Sequence, residues 1–246
     1  MSELTRIKSG IEGLDSMLDG GIPEHNQTII AGGPGAGKTL LSFEILYRNA
    51  KAGIPGAFIA LEEKPEVLLS NVKQAFKDFK DIDDLIKNQT IIIDGEDPSS
   101  RLQTESDSAS YSFGNIISDI EAIVKRNNAR CVVIDSISLL KLMLVDKYHY
   151  RRSMLMLMSN LRRLNVTTLL TVEINFADRD KLKYSPEFFI FDGIIMLYQM
   201  SREDRRTLTA EVVKMRGTNH SWALAPYEIT SGGFNIYTVD QMGEIP

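Results

Sequence analysis

Eight consecutive residues, GGPGAGKT at 32–39, are the part of this 246-residue sequence best suited to hold a charged ligand. They satisfy the pattern G-x-x-x-x-G-K-[ST] in full. Glycines at this spacing let the backbone curl until successive N–H groups point inward at one anion. The helix that follows turns its positive dipole end to the same place. The pattern predicts nucleotide phosphates held by Gly33, Pro34, Gly35, Ala36, Gly37, Lys38, Thr39 and Leu40. The Lys38 ammonium is expected on the β- and γ-phosphates, and the Thr39 hydroxyl on Mg²⁺. A magnesium shell also needs a carboxylate, and CVVIDS supplies Asp135 at the end of an apolar run. Asp135 could equally cap the segment that follows. Cleavage needs a group that orients or deprotonates water, and ALEEKPE places Glu62 and Glu63 at the end of another apolar run. Adjacent strand residues point to opposite faces, so one of the pair is expected to aim at the terminal phosphate. Acidic residues in front of Pro65 are also ordinary helix-start chemistry.

These residues need elements that converge on one edge. Six apolar runs read as strands: 27–32, 56–61, 89–94, 131–135, 167–173 and 193–199. Between them, 38–52, 65–79, 115–127 and 150–164 read as helices, the third with Ile116, Ile120, Ile123 and Val124 on one face. Continuous rather than alternating apolar runs suit strands buried on both faces of a mainly parallel sheet. After about residue 200 the helices stop, and RTLTAEVVKMRG, APYEIT and FNIYTV read as antiparallel strands added at the sheet edge. The expected class is therefore α/β, with a mainly parallel central sheet flanked by helices. The expected organisation is one domain over 1–246: a lead-in at 1–26, a core at 27–200 and antiparallel strands at 201–240. Two polar stretches, 95–114 and 175–188, would follow strand C-termini, where open α/β sheets bind ligands. Two further strands between the cradle and Asp135 suit a P-loop class with a glutamate base, and no N-K-x-D guanine-reading motif is present, so ATP is the expected nucleotide.

Composition narrows the class further. Apolar residues make up 43% and charged residues 25% of the chain, as in ordinary globular proteins. The net charge of −5 gives no global attraction to nucleic acid or an anionic membrane. One cysteine, Cys131, cannot build a disulfide framework, which fits a reducing cytoplasm, and it reads as a small core hydrophobe. The N-terminus has no apolar signal segment, and no stretch has the twenty or so apolar residues a membrane span requires. His25, His149 and His220 have no metal-ligand spacing, so no zinc site is expected. The methionine-rich SMLMLMSNL at 153–161 reads as a buried helix, with a subunit contact as the alternative. Thr171 and Glu173 end the fifth strand and could sense a γ-phosphate or serve the core.

Taken in order, SGIEGLDSMLDGGIP (9–23), GGPGAGKT, ALEE, VVIDS, TVE and KMRGTNHS (214–221) resemble KaiC-like and RadA-like ATPases of the RecA superfamily. The match runs from about residue 5 to about 238, and is strongest to the single-domain KaiC-like group common in archaea. The resemblance implies a RecA-like fold and ATP hydrolysis with Mg²⁺, often in hexameric rings with the nucleotide at a subunit boundary. It places the family's paired glutamates on Glu62 and Glu63, and its trans-acting basic pair on Lys214 and Arg216. Residues two apart on a strand share a face, so both could reach one neighbouring γ-phosphate. The bland alternative is an edge strand carrying charges against aggregation. One departure concerns the glycine that usually follows two residues after GGIP: His25 stands there, which puts the local turn in question. Larger members carry two such domains and a regulated tail, so a timing role is not expected to carry over. The leading expectation is a regulatory or signalling ring ATPase, self-associating and cytoplasmic, with its protein partner unnamed. The alternative is a RadA-like protein binding single-stranded DNA through 175–188, and an autokinase side activity would find serine and threonine targets in 95–114.

Overall fold

A computed structural model describes residues 4–95, 109–143, 146–174, 186–202 and 205–238. Its centre is one nine-stranded sheet. We number the strands β3 (Gln27–Gly32), β4 (Gly56–Ala60), β5 (Ile91–Gly95), β6 (Cys131–Asp135), β7 (Thr167–Glu173), β8 (Gly193–Arg202), β9 (Arg205–Met215), β10 (Ala225–Thr230) and β11 (Gly233–Ile236). Their order across the sheet is β11-β10-β9-β8-β3-β7-β6-β4-β5. The six strands from β8 to β5 run parallel, and β9, β10 and β11 extend the β8 edge antiparallel. This is the mainly parallel α/β sheet, with antiparallel edge strands, that the sequence predicts.

The inner parallel strands β3, β4 and β6 are buried on both faces because helices cover both, while the edge strand β5 is only partly covered. Odd and even residues go to opposite cores, as a two-residue side-chain period requires. Ile30, Phe58, Val133 and Leu169 meet α2 (Lys38–Lys51) and α3 (Pro65–Ala75) on one face. Ile29, Ile59, Val132 and Leu170 meet α5 (Ala109–Asn127), α6 (Ser138–Met143) and α7 (Lys147–Arg163) on the other. Phe58 is wholly buried, and burial of a side chain that size is worth about 2 kcal/mol. Cys131 lies within β6 at 1% exposure, where burial pushes its thiol up to about 12.

Several boundaries differ from expectation. The helix expected over 65–79 ends at Ala75, and a separate α4 (Ile82–Lys87) follows. Phe76 and Phe79 turn into the core instead, with Phe79 stacked on Tyr47 at 4.1 Å, so tertiary packing wins over helical continuation. The strand expected at 89–94 begins at Ile91 and runs to Gly95. The last strand ends at Ile236 rather than running on to 239. The helix α5 starts at Ala109, inside the serine-rich stretch read as loop, because polar composition does not bar an amphipathic helix from extending. Residues 96–108 and 175–185, with the hydroxyl targets and charged positions suggested there, lie outside the described residues. On α7, Met154, Leu157, Met158 and Leu161 are buried, whereas Leu155 and Met156 are exposed, so the methionine-rich run is core on one face only.

The lead-in folds as β1 (Arg6–Ile7) paired antiparallel with β2 (Ile22–Pro23), with α1 (Glu12–Met17) between them. Asp15 fixes the start of α1 by accepting the amides of Ser9 at 2.7 Å and Gly10 at 3.1 Å. His25 keeps the turn that its identity put in question. It adopts φ +66, the region glycine favours, and its ring and amide bond Asn165 O at 2.7 Å and Thr167 Oγ1 at 2.9 Å. A local network thus holds a histidine where the fold needs a left-handed residue. Among the described residues, no helix is long and apolar enough to cross a membrane.

The β10–β11 turn docks on α2 through Gly233. Its φ is +116, and an added Cβ would lie 2.2 Å from Glu44 Oε1. Glu44 cannot yield easily: it is fully buried and accepts the Phe234 amide and Arg48 Nε, both at 2.7 Å. Gly233→Ala is expected to lower unfolding free energy by about 2–4 kcal/mol. An earlier midpoint in urea denaturation would show it.

Candidate active site

The turn from β3 into α2 forms the cradle. Gly37 begins the helix at φ +85 and has no side chain to cap it. The first helical bond runs from Leu41 N–H to Gly37 C=O at 2.8 Å, which leaves the amides of Lys38, Thr39 and Leu40 outside the helical ladder. Lys38 Nζ lies across the loop and donates to Gly33 O at 3.0 Å. Gly37 is obligatory for a second reason: an added Cβ would stand 2.7 Å from Ile229 Cδ1 and 3.0 Å from Phe234 Cζ. The antiparallel edge strands therefore form the back wall of the loop. Tyr227 OH donates to Ala36 O at 2.7 Å and Gln199 Nε2 to Pro34 O at 3.0 Å. These supports escaped sequence reading, since nothing local marks Tyr227 or Gln199 as neighbours of residues 191 and 165 positions away.

Parallel register carries the carboxylates to the same edge. Gly32 pairs with Glu173 across β3 and β7, and Ala60 pairs with Asp135 across β4 and β6. Asp135 is buried, and both Thr171 Oγ1 and the Thr39 hydroxyl bond its carboxylate. Burial holds the Asp135 carboxyl above its ordinary range, against the opposing pull of those hydroxyls and the Lys38 charge. Burial lowers Lys38, and the charges of Glu173, Asp135 and Glu62 oppose that shift. Glu62 and Glu63 diverge, as adjacent residues should. Glu62 accepts from Ser136 Oγ at 2.6 Å, while Glu63 accepts from Asn71 Nδ2 on α3 at 3.2 Å. Burial raises the Glu63 carboxyl, helped by the charges of Asp135 and Glu62. Three carboxylates, those of Glu173, Asp135 and Glu62, thus act on one ammonium. That excess of negative charge favours a divalent cation as the bridge to an incoming phosphate. Among the described residues, no three His, Cys, Asp or Glu side chains form a closed metal cage. One buried carboxylate beside one hydroxyl suits Mg²⁺, which keeps waters and phosphate oxygens as its other ligands.

Lys214 and Arg216 are not at this edge. Met215 pairs with Gly193, which pairs with Thr28 near the start of β3, whereas the cradle begins at Gly32, beside Leu197. Four strand residues separate the two levels, roughly 13 Å. Both side chains lean away from the cradle, Lys214 Nζ to Phe191 O at 2.5 Å and Arg216 Nη1 to Asp192 Oδ1 at 3.0 Å. Neither reaches its own chain's loop. Beyond them the chain exposes Phe189 at 68% and Trp222 at 74%, the latter's ring 4.7 Å from His220.

A glycine-rich phosphate loop opening the first long helix of a mainly parallel sheet, with an aspartate on a nearby strand, defines a P-loop ATPase of the RecA superfamily. A family model described as "ATPase: KaiC" matches residues 7–241, and the chain belongs to that family. A circadian clock oscillator protein KaiC of Rippkaea orientalis is 30% identical over 239 residues, 96% of this chain and 45% of that protein. The namesake from a Picosynechococcus strain is 29% identical over the same shares. The chain thus spans less than half the length of these clock proteins. A crystal structure of a KaiC-like protein from Pyrococcus horikoshii OT3 superposes with a TM-score of 0.81 at 32% identity, covering 96% of this chain and all of that one.

Tyr227→Phe removes the hydroxyl from Ala36 O and leaves a buried carbonyl unpaired. The expected loss is about 1–3 kcal/mol of stability, with several-fold weaker affinity for a fluorescent ATP analogue. Chemical denaturation and fluorescence titration measure the two.

Proposed function

We propose that this chain binds and hydrolyses ATP with Mg²⁺, and that it does so in a closed ring whose reacting phosphates lie at the subunit boundary. The observation that carries the reading is the placement of the cradle and the basic pair at opposite ends of the same sheet. A Lys–Arg pair that cannot serve its own phosphate is well placed to serve a neighbour's. Such head-to-tail contact is heterologous, and it closes into a ring or runs on as a filament.

Each residue's part follows from its surroundings. The free amides of Lys38, Thr39 and Leu40 and the Lys38 ammonium hold the phosphate tail. Thr39 and Asp135 would hold the metal, which when bound supplies positive charge against the phosphate oxygens. Glu62 and Glu63 supply the carboxylate that orients and deprotonates the attacking water, and burial raises the Glu63 carboxyl above an ordinary glutamate's. Lys214 and Arg216 stabilise the charge on the neighbour's terminal phosphate as it departs. The ring would act as a regulatory or signalling ATPase, its output being the shape of the assembly in each nucleotide state.

Lys38→Ala is expected to abolish nucleotide binding, and Arg216→Ala to keep binding while cutting turnover by about 10²-fold or more. Each variant alone is strongly impaired, yet a mixture of the two should regain activity, since each supplies what the other lacks. Phosphate release from the mixture decides the matter; a silent mixture would remove the shared-site reading. Glu62→Gln and Glu63→Gln, tested in parallel, are expected to keep binding, and the one that carries the base loses about 10²–10⁴-fold in turnover.

A further inference from the structure

Asp192, between the 3₁₀ turn Pro186–Ile190 and β8, is the residue on which the basic pair rests. Its side chain is 11% exposed. Arg162 Nη2 lies 3.1 Å from both oxygens, Arg216 Nη1 lies 3.0 Å from Oδ1, and the Gln27 amide lies 3.2 Å from Oδ2. Its backbone closes the frame. Asp192 N–H donates to Gln27 O, and Arg216 N–H donates to Asp192 O, both at 2.9 Å. One residue therefore fixes Arg216 at its main chain and at its guanidinium. A third tie runs from Arg216 Nη2 to Phe189 O at 3.3 Å.

Counting donors shows what this arrangement leaves available. A guanidinium carries five N–H groups in a fixed plane, and the Asp192 and Phe189 contacts occupy only some of them. The side chain is 56% exposed, so the rest remain accessible to an anion. A planar fork held in place loses less freedom on meeting a phosphate than a loose one. Arg162 gives the carboxylate a second counter-ion, so Asp192 stays balanced when an anion draws on Arg216. Phe191, whose carbonyl accepts Lys214 Nζ, is the preceding residue, so the second member of the pair leans on the same segment.

We propose that Asp192 is a positioning residue for cleavage at the neighbouring subunit, setting the direction of the Arg216 guanidinium and bracing the segment that holds Lys214. This rests on the shared-site reading above. A purely structural ion pair would lower stability, binding and turnover together. A brace lowers turnover and leaves binding at the chain's own cradle unchanged, because that cradle is at the far end of β3.

The experiment compares Asp192→Asn, Arg216→Gln and the double variant, full-length, by phosphate release at saturating Mg²⁺–ATP and by titration with a fluorescent ATP analogue. Asp192→Asn is expected to cut turnover about tenfold with affinity within about twofold of wild type. The double variant should turn over no slower than Arg216→Gln alone, and D192N mixed with K38A should regain activity. If D192N keeps turnover within about twofold of wild type while R216Q is impaired and complements K38A, the positioning role is overturned and the shared site stands. Multiplicative losses in the double variant also overturn it, since Asp192 would then act apart from Arg216. If R216Q fails to complement K38A, the shared-site reading falls and takes this one with it. Should D192N not fold, Asp192→Glu keeps the charge but moves the carboxylate by one methylene, and the same outcomes apply to it.

Discussion

The clamping of β3 between β7 and β8 is the constraint from which the rest follows. Six consecutive residues of β3 pair with β7 and five with β8, both in parallel register. The last of them, Gly32, opens the cradle; the first, Gln27, is tied by its backbone to Asp192. A slip of one residue would turn every β3 side chain to the opposite core and displace the loop from the carboxylates of β6 and β7. The same register that brings Asp135 and Glu173 to the cradle sends Lys214 and Arg216 to the opposite end. The geometry of one strand thus sets which side chains can meet at the cradle and which cannot.

At the cradle, electrostatics and burial pull in opposite directions. Burial raises the Asp135 and Glu63 carboxyls and lowers the Lys38 ammonium, so each charge is held at some cost. Hydroxyls from Thr39 and Thr171 and the amide of Asn71 offset part of it. A phosphate tail with its magnesium would offset much of the remainder, bringing negative charge to the ammonium and positive charge to the carboxylates together. A site so arranged favours the pair of ligands over either alone.

The amount legible from sequence tracks how local each feature is. The phosphate loop, Asp135 at its strand end and the six apolar runs are written in contiguous residues, and the parallel sheet follows from them. The expectation for Lys214 and Arg216 comes only through resemblance, because no local pattern says which end of the sheet a charge on β9 will occupy. Tyr227, Gln199 and Asp192 were not legible at all: their partners lie far along the chain, and a buried tyrosine or an aspartate before a glycine has many ordinary uses. Helix α3 stops early for a similar reason, since the aromatic cluster of Tyr47, Phe76 and Phe79 forms only after α2 is in place. His25 shows the reverse case, in which an unfavourable residue type is accommodated because bonds to Asn165 and Thr167 hold the turn.

Trp222 is the chain's sole tryptophan, and it stands in solvent six positions beyond Arg216. Its emission therefore originates from a single place on the surface, without a background from buried indoles. The polarity around that one fluorophore is an intrinsic optical gauge of whether anything has come to rest against the segment that follows the basic pair, and it requires no dye or engineered label.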